Sequence, residues 1–198
     1  RATSSDAISD ADAERLLAFS DRMFLLQTEY SDYRHEKLLR HCTIIAEEAG
    51  GLDAAMTGRE AAERIVAWVN RTYDNEETNR DYRVALRVCG SRTVGDDDEV
   101  PEALAWVPTG TSRNYDPTPD PSQMLDWDDH VLPMVEAAQN HRDAALVALQ
   151  WDAGLRGGEC KSLRRGALED HDHGLQVTVQ GKQGQRTVTL IPSVPYVR

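Results

Sequence analysis

Lysine is almost absent from this chain. Of its 22 basic side chains, only Lys37, Lys161 and Lys182 are lysines, and the other 19 are arginine. An Asp-rich, Ala-rich and Lys-poor composition argues against an ordinary mesophilic surface. It suits concentrated salt, where screening removes the self-repulsion of a charged protein, and predicts a halophilic cytoplasm. Cysteine is scarce too. Cys42, Cys89 and Cys160 stand far apart with no CxxC pair, which excludes a disulfide framework and predicts buried free thiols in a reducing compartment. No apolar run approaches the ~20 residues of a bilayer crossing, so no membrane partner is expected. The polar, acidic start does not read as a signal peptide. Neither a G-x-G-x-x-G nor a Walker pattern occurs, which removes the common nucleotide sites. The two histidines of "HDHG", 171–174, lack nearby Cys or His companions and read as a polar turn before a strand rather than a metal site. Trp68, Trp106, Trp127 and Trp151 are scattered, so no stacking platform is implied.

What is present is acid, unevenly spread. The net charge is −12. Residues 1–140 hold 28 acids and 14 bases, a net −14, whereas residues 141–198 hold 6 and 8, a net +2. Excess negative charge normally opposes nucleic-acid binding, and only the last segment escapes it. A length of 198 residues suffices for one large or two small domains.

The first hundred residues read as helices. In "SDADAERLLAFSDRMFLLQTEY" Ser9 is the expected N-cap, with Leu16, Leu17, Phe19, Phe24 and Leu25 at roughly helical spacing. "SDYRHEKLLRHCTIIAEEAGG" starts at Ser31 or Asp32, carries the stripe Leu38, Leu39, Cys42, Ile45 and Ala46, and ends at Gly50 and Gly51. In "TGREAAERIVAWVNRTY" Thr57 and Glu60 have capping-box spacing, with Ala61, Ile65, Trp68 and Val69 inward. "NEETNRDYRVALRVCGSRT" turns Tyr82, Ala85, Leu86 and Cys89 inward. On the same helix Arg80, Arg83, Arg87 and Arg92 form a basic face in an acidic half. Such rows commonly pair with nearby acids; contact with a DNA backbone is the sharper alternative. Five prolines between 101 and 121, together with an acidic run, forbid continuous helix, and residues 96–122 read as a linker.

The second unit is expected from 123 to 198. "MLDWDDHVLPMVEAAQ" is a helix capped near Asp126, with Pro133 at a kink or first turn. "HRDAALVALQWDA" is apolar on nearly every side and reads as a buried central helix ended by a left-handed Gly154. "GECKSLRRGAL" predicts a short helix with Leu163 and Leu168 inward. "GLQVTVQ" and "RTVTLI" alternate strictly about "GKQGQ", a β-hairpin. The fold class is therefore mainly α with a small β-hairpin.

Two residues look placed. Arg156 sits on a sharp turn between two helices, with Gly157 and Gly158 leaving open space, and its planar fork suits two phosphate oxygens. Glu159 is close enough to brace it. Lys182 occupies the hairpin turn of a chain that otherwise avoids lysine, and lysine, unlike arginine, can give up a proton. By themselves, a surface arginine and a turn lysine account for both.

Together these stretches carry a resemblance. "RDAALVALQWDAGLRGGECKSL" resembles the first conserved box of the tyrosine recombinases, the phage-integrase family. "LQVTVQGKQGQRTVTLIP" is similar to the family's hairpin, with Gly-Lys at the turn, a basic residue after it and a strand ending in proline. The motif match spans 143–192. At the level of architecture it extends to the whole chain: 6–95 as a helical, SAM-like core-binding domain, 96–122 as linker, and 123–198 as the N-terminal part of an α+β catalytic domain.

The resemblance implies a chemistry. A tyrosine hydroxyl attacks a DNA phosphodiester and forms a 3′-phosphotyrosyl bond, with no cofactor and no metal. Arg156 would bind the scissile phosphate, Glu159 would support it, and Lys182 would protonate the leaving 5′-oxygen. The implied partners are double-stranded DNA and further copies of the chain assembled on it. The family's His-x-x-Arg box, its later His or Trp and its nucleophilic tyrosine are absent. Tyr196, fourteen residues after Lys182 with no His-x-x-Arg between, is not taken as the nucleophile. The expected role of these residues is thus DNA binding within a site-specific recombinase. The alternative is a non-catalytic DNA-binding protein or regulator derived from an integrase.

Overall fold

The structure, a computed structural model, describes residues 4–26, 29, 31–95, 99–181 and 184–198. Helix α1 (Asp10–Leu25) begins where Ser9 accepts the Asp12 N–H at 3.2 Å, with Asp10 and Asp12 at the positive end of the helix dipole. Its buried stripe is Leu16, Phe19 and Met23. Leu17, Phe24 and Leu25, expected inside, are exposed, because each further residue is turned about 100° around the axis and these three fall off the buried line. Helix α2 (Asp32–Ile44) is capped by Ser31 and buries Leu38 and Cys42. It widens into a π-helical turn, Ile45–Ala49, and stops at Gly50 and Gly51, both at positive φ.

Helix α3 (Leu52–Thr57) overturns one expectation. Burial of Leu52, Ala55 and Met56 winds this segment into a helix of its own. Thr57 is consequently its last residue rather than a cap, and helix α4 (Arg59–Thr72) starts from Gly58 with no side-chain cap. The carboxylate of buried Asp12 ties α3 to α1 by accepting the N–H groups of Gly51 at 3.0 Å and Asp53 at 2.7 Å. Helix α4 buries Ala61, Ile65 and Val69 as its spacing predicts, and Ala62 and Val66 besides. Trp68 is half-buried, edge-on to Tyr73 and Tyr82. Helix α5 (Glu76–Thr93), capped by Asn75, turns Tyr82, Ala85, Leu86 and Cys89 inward. Cys42 and Cys89 are buried free thiols and Cys160 is half-buried. The neighbouring Cys89 and burial push the Cys42 thiol well above its ordinary value.

The stretch 96–122 is only partly a linker. Asp96, Asp97 and Asp98 lie outside the described residues, but helix α6 (Glu102–Ala105) and Val107 bury Ala103, Leu104 and Val107. Leu104 and Val107 join the core of the first helices. Gly90 of α5 permits this approach, since a Cβ there would lie 2.5 Å from Leu104 Cδ1. The chain divides into two compact units, Arg1–Asp116 and Pro117–Arg198. Prolines exclude a long helix, but they do not prevent the apolar residues between them from being buried.

In the second unit Asp126 accepts the N–H groups of Asp128 and Asp129 and caps a π-helical turn, Trp127–Val131. Helix α7 (Leu132–Glu136) follows with Pro133 in its first turn. Helix α8 (His141–Asp152), capped by Asn140, buries one face only, through Ala144, Ala148 and Leu149, and leaves Leu146 exposed. After helix α9 (Gly157–Ser162) come strands β1 (Leu168–His171), β2 (Gly174–Gly181) and β3 (Gly184–Thr189), antiparallel in that order. The expected hairpin is β2–β3. Strand β1 is additional: Leu168 opens it rather than lying on a helix, and "HDHG" is the turn that pairs His171 with Gly174. Leu175, Val177 and Val179 of β2 pack with Leu149, Ala153, Leu155 and Leu190. Helix α10 (Val194–Val197) ends the described chain, and Trp127 meets Trp151 and Tyr196 at ring distances of 5.2 and 6.3 Å. The protein is thus mainly helical with a small three-stranded antiparallel sheet. Among the described residues, no helix is long and apolar enough to cross a membrane.

Candidate functional site

The site is built on the turn between α8 and α9. Helix α8 stops because Gly154 adopts φ +57. Leu155 is buried in the core of the second unit and anchors the turn. Arg156, next in line, is extended (φ −73, ψ 153) and is the N-cap residue of α9. Its side chain is 66% exposed.

Beneath it lies Glu159, whose side chain is only 4% exposed. Glu159 Oε2 accepts the backbone N–H of Arg156 at 2.8 Å, and Oε1 receives Arg156 Nη1 at 3.4 Å. The stronger grip on Glu159 comes from β3. Arg186 donates Nη1 to Oε1 at 2.7 Å and Nη2 to Oε2 at 3.0 Å, a two-pronged pair. The same Nη2 reaches the Gly154 carbonyl at 3.0 Å. These bonds from Arg186, and then the Arg156 N–H, hold the Glu159 carboxyl down to about 2. Glu159 is therefore charged at any working pH, and its charge is committed to Arg186.

Sheet register explains the meeting. Arg186 pairs with Val179 and Val188 with Val177, so Arg186 projects from the core side of the sheet. Thr178 and Thr187 hydrogen-bond across the other face at 2.9 Å. Gly181 completes the contact, because a Cβ there would collide with Glu159 Oε1. The "GLRGGE" turn and the "GKQGQ" hairpin thus join through Glu159, Arg186 and Gly181. Lys182 lies outside the described residues. A second brace runs from α8: Asp152 Oδ2 accepts the N–H groups of Ile191 and Ser193 and the Ser193 hydroxyl, at 2.8, 3.0 and 2.7 Å. That fixes the chain leaving β3 against the end of α8.

Two guanidinium groups share one buried carboxylate, so the turn carries one net positive charge. The Arg156 guanidinium gives that carboxylate a single long bond and keeps most of its donors for an outside acceptor. Its backbone is held from both sides, so a ligand would meet an arginine whose base is already ordered.

Among the described residues, the row on α5 pairs with acids only at Arg80 and Arg92 and otherwise chiefly meets backbone carbonyls. Arg80 Nε donates to the Thr109 carbonyl at 3.0 Å and Nη1 to Glu77 at 3.1 Å. Arg83 Nη2 donates to the Gly110 carbonyl at 2.9 Å. Arg87 Nη1 reaches the carbonyls of Ala105 and Val107, each at 2.8 Å. Arg92 pairs with Glu29 at 3.3 Å. The row therefore binds its own chain, since carbonyls of a proline-rich loop without helical partners need donors.

The sequence marked Arg186 only as the basic residue after the hairpin turn, and did not mark Asp152. The signal for Arg186 was present: strand alternation puts it on the face of Val188 and Leu190, where a charge needs a partner. No local signal marks Asp152, whose partners lie about forty residues away.

No family model, curated protein or solved structure matches this chain. Among the described residues, no group of three or more His, Cys, Asp or Glu is placed to hold a metal ion. A cleft of about 670 Å³ between α8, α9 and α10 is floored by Leu146, Leu149 and Leu168 with Arg164 and Arg165 at its edge. Arg156 does not line that cleft and stands at open surface, where an extended anion has access.

Proposed function

We propose that this chain carries phosphate-handling residues of a tyrosine recombinase and binds double-stranded DNA. The first unit serves as its helical core-binding domain and the second as the beginning of its catalytic domain. The observation that supports this best is Arg156: an exposed guanidinium on a clamped turn, braced by a carboxylate that Arg186 already neutralises. In the proposed reaction a tyrosine Oη attacks phosphorus, the bond to the 5′-oxygen breaks, and a 3′-phosphotyrosyl bond forms. Arg156 binds the non-bridging oxygens as their charge develops, and Lys182 gives its proton to the departing 5′-oxygen. The tyrosine and the His-x-x-Arg box that this chemistry requires are not among these 198 residues. The activity proposed for the chain itself is DNA binding, in concentrated salt that screens its net −12 charge.

Duplex binding followed by anisotropy across a KCl series tests the partner. Binding should weaken with salt, and Arg156→Ala should lower the log–log slope by about 0.9, one phosphate contact. In a reading frame that supplies the tyrosine, Arg156→Ala should abolish strand cleavage while most duplex affinity survives. Retained cleavage would refute the phosphate role, and no binding at any salt would remove DNA from the reading altogether.

A further inference from the structure

Helix α5 holds the chain segment that follows α6 as a strap along one of its faces. The holding residues are Glu76, Arg80, Arg83 and Arg87, spaced four, three and four apart, so they line one side of the helix. The strap runs the opposite way at its two ends, from Arg87 to Glu76, with the middle pair crossed: Arg80 takes Thr109 and Arg83 takes Gly110. Arg87 takes the carbonyls of Ala105 and Val107, Arg80 and Arg83 take those of Thr109 and Gly110, and Glu76 takes Ser112. The Glu76 contact is the closing one: its two carboxylate oxygens receive the Ser112 N–H and hydroxyl, each at 2.6 Å. Those bonds hold the Glu76 carboxyl below its usual range.

The two ends of this strap are unequal. At the α6 end, Leu104 and Val107 are buried in the core, so that end is fixed. From Pro108 to Asp116 nothing is fully buried; the contacts are polar and lie at or near the surface. Arg80 is exposed and Arg83 half-buried, and among the described residues the buried Nε of Arg83 has no partner. Neutral carbonyls occupy guanidinium donors that form stronger, charge-assisted bonds with phosphate.

We infer that residues 108–112 are an autoinhibitory strap. Closed, it occupies Arg80 Nε and Arg83 Nη2; opened at Glu76–Ser112, it frees those two donors for the phosphates of a duplex, while Arg80 Nη1 stays on Glu77 and Arg83 Nη1 on Asn70. This rests on the DNA-binding reading and adds a gate to it.

The test compares four forms of the whole chain: wild type, Glu76→Ala, Glu76→Ala with Arg80→Ala and Arg83→Ala, and Glu14→Ala. The last removes the same charge from an exposed position on α1. Trypsin cleavage after exposed Arg113 reports strap opening, and duplex anisotropy at one fixed salt concentration reports binding. Glu76→Ala should be cut after Arg113 about 10-fold faster than wild type and bind duplex about 10-fold more tightly than Glu14→Ala, the gain of one to two phosphate contacts. The triple variant should be cut as fast but lose the gain in affinity. Two results would overturn the inference: cleavage after Arg113 that is unchanged in Glu76→Ala, or fast cleavage with an affinity equal to that of Glu14→Ala. If wild type binds duplex through Arg156 and only the Glu76 effect is missing, the strap falls and the DNA reading stands. If no form binds duplex, both fall.

Discussion

Glu159 is where the chemistry of the site converges, because its carboxylate accepts from Arg156 on the turn and from Arg186 on the hairpin. A carboxyl whose folded-state value lies at about 2 instead of the ordinary 4.5 stabilises the fold above 4.5. That contribution is lost as pH falls from about 4.5 towards 2. Thermal melts over this window should show the wild type losing stability more steeply than Glu159→Gln, which has no charge to lose. At neutral pH, Glu159→Gln should melt at a lower temperature than wild type, since Arg186 loses its ionic partner. Parallel curves for the two proteins would show that the pairing with Arg186 does not couple to folding. Arg156 and Glu159 were both evident as candidates from "GLRGGE". Their actual relation was not, because the dominant partner of Glu159 comes from β3, 27 residues later.

At the scale of elements, local chemistry set the starts and stops while burial chose the faces. Ser9, Ser31, Asn75, Asp126 and Asn140 all act as caps, since a cap needs only a side-chain oxygen and the next few N–H groups. The failure at Thr57 has the opposite origin: its capping-box spacing was outweighed by burial of Leu52 and Met56 just before it. Helix α6 is the clearest case of an element decided by packing. A stretch dense in proline and aspartate still sends Leu104 to full burial against Gly90. Leu104→Ala should destabilise the first unit by about 2–5 kcal/mol, the usual result of emptying a filled core position, and urea unfolding measures it. A loss below about 0.5 kcal/mol, the size of a surface effect, would mean that α6 is not part of this core.

At the scale of the molecule, two units with separate cores predict two unfolding transitions. The first unit gathers a single large core from five helices and α6, whereas the second has two smaller clusters. Burying less per residue, the second unit should unfold first. Calorimetry should show Phe19→Ala shifting the upper transition and Val177→Ala the lower one, each leaving the other in place. A single transition moved by both substitutions would show that the units fold as one. The charge asymmetry follows the division only in part: the first unit holds 23 acids and 14 bases and the second 11 and 8, and within the second only residues 141–198, which include Arg156, escape the acidic excess.

The sequence by itself determined the helical character of the first hundred residues, the caps at Ser9, Ser31 and Asp126, the β2–β3 hairpin, the left-handed stop at Gly154 and the candidacy of Arg156. Each depends on neighbours within a few positions, so each is written locally. Only the tertiary structure decided that Leu17, Phe24 and Leu25 face water, that α8 buries a single face, and that the arginine row of α5 holds a strap. It also decided that Arg186 and Gly181 meet Glu159. Those outcomes depend on which surfaces compete for burial and which charges lack a nearer partner, and both are settled between segments far apart in the chain.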